Sequence, residues 1–158
     1  MTTSIPRLVR ARSIIGLIRW NIKDCKLTEH SFANATIGSD LSQYMCREAI
    51  LWEFSGIAKN LKFPSNDPIY TVHPEFRKAA SQLYNMHNII VDKDDVHGPM
   101  TEVDYNKVWS MITGFEELYP MIDFLIKAEQ TKEKEKKKRD SEDGRAYGEV
   151  NLKRSPVA

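Results

Sequence analysis

The densest grouping of side chains that could hold a metal or move a proton is Asp92, Asp94, Asp95 and His97, with His73 and His87 nearby in sequence. Loops that bind hard cations present oxygens at alternate positions, a turn glycine at the sixth and a bidentate Glu at the twelfth. Counted from Asp92, the sixth residue is His97 and the twelfth is Val103, so the spacing fails. A polar loop between two helices accounts for the cluster without an ion. Cys25 and Cys46 stand apart, with no CxxC and no HxxxH, so neither zinc nor a disulfide framework is expected, and both are read as packed, reduced thiols. Arg77 and His87 bring to mind the small helical ribonucleases that pair an Arg and a His on one helix. Those enzymes use a shorter separation, and His87 falls on an apolar stripe, where an imidazole packs as a neutral ring. GxSxG, HExxH, GxxxxGK[ST] and GxGxxG are all absent. The chain reads as non-enzymatic, with no cofactor.

What remains is charge. Residues 1–23 carry Arg7, Arg10, Arg12, Arg19 and Lys23 and no acid, while residues 24–126 hold 8 bases against 15 acids and residues 127–158 hold 10 against 7. An acidic body between basic ends is unlike a nucleic-acid-binding domain, whose basic stripe lies on the folded surface, so nucleic acid is not the expected partner. Lys136–Arg139 is read first as part of a solvated tail. A nucleic-acid patch, or contact with an anionic membrane surface, is the competing use of those bases. The acid-free start has the make-up of a mitochondrial address, a cationic amphipathic helix drawn inward by the membrane potential. Its rival is a basic first helix docked on the acidic body. Either way Arg7, Arg10, Arg12 and Arg19 are the candidate partner-binding residues.

These groups must be positioned by helices. Seven glycines in 158 residues are few for hairpins or phosphate loops, and the length suits one core. From about Ser4 to Lys23, Ile5, Leu8, Val9, Ile15, Ile18 and Ile22 recur at helical spacing, with Ser4 as N-cap and Pro6 in the first turn. Residues 24–38 read as a polar connection. Ser39–Asp40 opens a second helix whose wide apolar face includes Tyr44, Met45, Trp52, Phe54, Ile57 and Leu61, ending before Pro64. Phe63–His73 reads as extended loop, with Ile69–Val72 as the one strand candidate. Pro74 starts a third helix, with Phe76, Ala80, Leu83, His87 and Ile90 on its stripe. Thr101-x-x-Asp104 resembles a capping box ahead of Val108, Trp109, Ile112 and Phe115. Gly114 and Pro120 interrupt the chain, and a last helix from about Met121 loses its apolar face after Ala128. Trp20, Trp52 and Trp109 all fall on apolar faces and are expected at core or interface positions. No apolar run approaches the ~20 residues of a membrane span. The reading is all-α: about five helices in one domain, divided as a basic amphipathic segment (1–23), a helical domain (24–130) and a charged, partly disordered tail (131–158).

From Asp67 to about Lys134 the chain resembles the small, matrix-side helical accessory subunit of ubiquinol–cytochrome c reductase. That family shows an arginine-bearing helix, a short break, an aromatic-containing segment, then a Leu-x-Pro opening a final helix that runs into Lys/Glu repeats. The corresponding stretches are FRKAASQLYNMH, MTEVDYNKVW and FEELYPMIDFLIKAEQTKEKEK, and TIGSDL stands where the family has a Gly-Leu and paired acids. The family's Leu-Pro is absent after Ile90, extra residues occupy Asp92–Pro99, and the central segment is longer. The resemblance implies a non-catalytic structural subunit of a mitochondrial inner-membrane respiratory complex, held on its matrix side by other protein subunits. The alternative is a nucleic-acid-associated or regulatory helical protein acting through its basic ends.

Overall fold

The computed structural model describes residues 4–92 and 103–153, and side chains as far as residue 143. Among them run seven helices and no strand: α1 (Ser4–Asp24), α2 (Glu29–Asn34), α3 (Leu41–Asn60), α4 (Pro68–Val72), α5 (Pro74–Asp92), α6 (Tyr105–Thr113) and α7 (Phe115–Lys153). The all-α expectation holds, with two more helices than the five expected.

Both additions are short, lie where composition reads as connection, and are made by caps. Thr28 Oγ1 accepts from Ser31 N at 3.2 Å while Ser31 Oγ accepts from Thr28 N at 2.8 Å. That reciprocal box starts α2, and fully buried Phe32 anchors it. In α4, Asp67 Oδ1 accepts from Ile69 N at 2.9 Å and Pro68 occupies the first turn. The strand candidate Ile69–Val72 is therefore helical, and Ile69 and Tyr70 are buried. Asp40 caps α3 as expected, accepting from Gln43 N at 3.1 Å. Asp104, expected at the far end of a box opened by Thr101, is itself the cap of α6 and accepts from Lys107 N at 3.1 Å; Thr101 lies outside the described residues.

The last helix begins at Phe115, not Met121. Gly114 keeps right-handed angles (φ −65, ψ −12), so α7 follows α6 directly, and Pro120 lies inside it. Proline there removes one ladder hydrogen bond near the start of a long helix. Burial of Leu118, Ile122, Leu125 and Ile126 on both sides offsets that loss, at ~1.5–3 kcal/mol for each side chain. The charged tail is helical as far as Lys153 and its described side chains from Thr131 on are almost all exposed, the solvated extension that its composition allows. Lys, Glu and Arg are good helix formers, and pairs such as Glu129–Lys132, at 3.3 Å, add a few tenths of a kcal/mol each.

The core joins every part. Leu8, Ala11, Ile15 and Ile18 of α1 are fully buried beside Ile50, Phe54 and Ile57 of α3 and its C-cap Leu61, and Phe54 meets Phe115 of α7 with ring centroids 6.0 Å apart. Residues 4–23 thus share one core with the described residues of 24–130. Arg7 reaches Lys59 and Asn21 reaches Glu53, so α1 runs antiparallel to α3; Arg12 reaches Asp123 and Arg19 reaches Phe115, so it runs antiparallel to α7 as well. Of the three tryptophans, only Trp109 packs inward, 5.3 Å from the Phe32 ring. Trp20 is 61% exposed and Trp52 70%. At ~100° per residue, Trp52 stands about 200° round the helix from buried Phe54, on the far side of a face that is apolar nearly all round.

Candidate interaction surface

The four candidate arginines do not form a free basic row. Arg12 Nη1 donates to Asp123 Oδ1 at 2.5 Å, and Lys127 lies 3.3 Å from the other carboxylate oxygen. These hydrogen bonds, Arg12 first, hold the Asp123 carboxyl below its ordinary range. Arg19 donates to the Phe115 carbonyl at 3.2 Å and lies over the Tyr119 ring at 5.1 Å. Arg7 donates to the Lys59 carbonyl at 2.6 Å and covers the Phe63 ring at 4.8 Å. Arg10 is exposed and makes none of these contacts. Three of the four therefore fasten α1 to its neighbours, and Arg10 alone offers an open charge.

Arg47 carries no signal in the sequence but is the most buried charge, 4% exposed. Its Nη1 donates to the Phe32 carbonyl at 3.0 Å, Glu48 is 3.6 Å away, and the guanidinium lies 4.0 Å from the Tyr105 ring centroid. It ties α2, α3 and α6 together, a structural duty. The histidines and acids singled out for chemistry do not converge. His73 packs edge-on to Phe124 at 6.1 Å, His87 lies 5.3 Å from the Tyr84 ring, and Asp92 ends α5 exposed. Asp94, Asp95 and His97 lie outside the described residues. Among the described residues no three His, Cys, Asp or Glu side chains are grouped to hold a metal. His87 is buried with Nδ1 unpartnered; burial, then the charges of Lys59 and Lys62, pushes its pKa down, so it stays neutral. Burial pushes the Cys46 thiol up to about 12, and the neighbouring Cys25 adds to the rise. Cys46 is a protonated donor to the Asn21 carbonyl at 3.6 Å rather than a nucleophile.

What the fold leaves uncovered is apolar. Leu41, Met45 and Trp52 of α3 are 53%, 61% and 70% exposed, and Ala49 between them is exposed too. Their spacing of four, four and three residues puts them on one face. α1 packs closely along α3 beside this face: a Cβ at Gly56 would stand 3.2 Å from Ile14 Cδ1. Leu17, 46% exposed, sits one turn along from Ile14, with Trp20 beyond it. On the other flank Trp52 borders Val91, 48% exposed, and buried Ile90, across a hollow of about 200 Å³. Exposed apolar residues scattered singly mean little, but four on one face of α3, Trp52 among them, mark an interaction face.

No family model, curated protein or solved structure matches this chain.

Proposed function

We propose that this protein is a non-catalytic helical subunit of a larger assembly, which docks a partner subunit against the outer face of α3 and its α1 border. The observation that carries the proposal is the Leu41–Met45–Ala49–Trp52 stripe, which stands in water along one face of α3, whereas Ile37, Val72 and Phe124 are exposed singly on other elements. Interface centres favour Trp and Met, and two adjacent antiparallel helices offer a firm platform for a partner's apolar helix face. No helix of the described residues is long and apolar enough to cross a membrane, so attachment to a membrane complex would run through protein contacts, or through lipid headgroups at its edge. The likeness of Asp67–Lys134 to the matrix-side subunit of ubiquinol–cytochrome c reductase supports the mitochondrial inner membrane, matrix side, as the place of that assembly.

The test is native electrophoresis of the endogenous protein after mild detergent extraction. It should migrate with a large membrane complex, and Trp52→Arg together with Met45→Arg should release it as a folded monomer. Migration at monomer mass before any substitution would contradict the proposal. The nucleic-acid alternative predicts instead a steep log–log salt dependence of binding through Lys136–Arg139, which lies exposed on α7.

A further inference from the structure

A second concavity has a different chemistry. Between the end of α3, α4 and α5 lies a cleft of about 340 Å³ whose walls include Phe63, Tyr70 and Ala80 and which carries Lys62 and Arg77 but no acid. One of its two cations is positioned by a ring. Lys62 Nζ sits 3.9 Å from the Tyr84 ring centroid. Arg7 is held over Phe63 from the α1 side by its bond to the Lys59 carbonyl. A ring face orients a cation without neutralising it. Arg12, Arg47, Lys127 and Lys132 each have a carboxylate within 4 Å, whereas the two cations of the cleft, Lys62 and Arg77, have none among the described residues. Tyr70 forms a rigid wall, since its hydroxyl bonds the Leu61 carbonyl and accepts from Phe63 N at 3.1 Å.

We propose that this cleft binds a phosphate monoester dianion, with Arg77 and Lys62 on the phosphoryl oxygens and the apolar wall of Phe63 and Tyr70 against the ester group. A dianion answers more than one unpaired cation, and the planar guanidinium of Arg77 suits paired phosphoryl oxygens. Ser65 and Ser81 at the rim add neutral donors. The site lies on the opposite side of α5 from the groove lined by Glu75, Lys78 and Lys107, and away from the α3 stripe, so it does not rest on the docking proposal.

Calorimetry of the full chain with phenyl phosphate tests it. Binding is expected, weakened roughly tenfold by Arg77→Gln and again by Lys62→Gln. Lys78→Gln and Lys107→Gln remove the same charge elsewhere and should leave the affinity unchanged. Both cleft residues are exposed, and matching thermal melts establish that the variants remain folded. Vesicles of phosphatidylcholine with and without phosphatidic acid separate the two sources of the group. Recruitment only by phosphatidic acid, lost in Arg77→Gln, assigns a lipid headgroup; phenyl phosphate binding without recruitment assigns a soluble phosphate ester. No binding of either probe, or binding that the four substitutions weaken equally, overturns the proposal.

Discussion

Glu53 stands at the α1–α3 seam with Oε1 accepting from Asn21 at 2.7 Å and Oε2 buried without a partner. Burial raises its pKa against the smaller opposing effect of that hydrogen bond. An acid whose folded pKa exceeds its unfolded one costs stability as pH rises through that interval. Glu53→Gln keeps an acceptor for Asn21 and removes the charge. It should therefore raise the melting temperature near neutral pH, with the gain vanishing below about pH 3, where the carboxyl is protonated in both states. Equal gains at both ends of a pH series would refute this account of Glu53. The two aromatic neighbours separate core from surface just as sharply. Phe54→Ala should cost ~3–5 kcal/mol in urea titrations, since its ring is fully buried. Trp52→Ala, at an exposed position, should stay within about 0.5 kcal/mol.

At the scale of elements, the long periodic helices are legible in the sequence because a stripe at 3.6-residue spacing has one physical use. α1, α3 and α5 lie close to where periodicity puts them, and buried Leu8, Ile15, Ile18, Phe76, Leu83 and Ile90 are residues of those stripes. The short helices are not legible, because α2 and α4 owe their existence to caps and to single anchors, Phe32 and Tyr70, within polar stretches. Trp52 deceives for another reason: where a helix is apolar nearly all round, period alone cannot say which arc faces water. The arginines are ambiguous in the sequence because a cationic amphipathic address and a docked first helix share one composition. Deletions distinguish the elements. Removing residues 1–23 strips Leu8, Ala11, Ile15 and Ile18 from the core, and the remaining chain should lose its cooperative melt. Removing residues 140–158 takes away a stretch whose described side chains, 140–143, are exposed, and should move the melting temperature by well under ~4 °C. An intact melt after the first deletion would show that α1 is dispensable, as an address would be.

For the whole molecule, the basic ends and acidic body visible in the sequence become partly internal: Arg12 with Asp123 and Arg19 with the start of α7 use the α1 charge to close the bundle. The surfaces left over are the apolar stripe along α3 and the cationic cleft beside α5, two regions whose chemistry points to different ligands. Their component residues are visible in the sequence, but their convergence is not, because it depends on how α1, α3, α4 and α5 are laid side by side. The claim that α3 faces a partner is tested most directly by site-specific photo-cross-linking in the native cell. A photoreactive phenylalanine analogue placed at position 45 or 52 should capture the same partner chain, while the analogue at position 107, beside the groove between α5 and α7, should not. Equal capture from all three positions, or none from 45 and 52 in a folded protein, would contradict a docking face on α3.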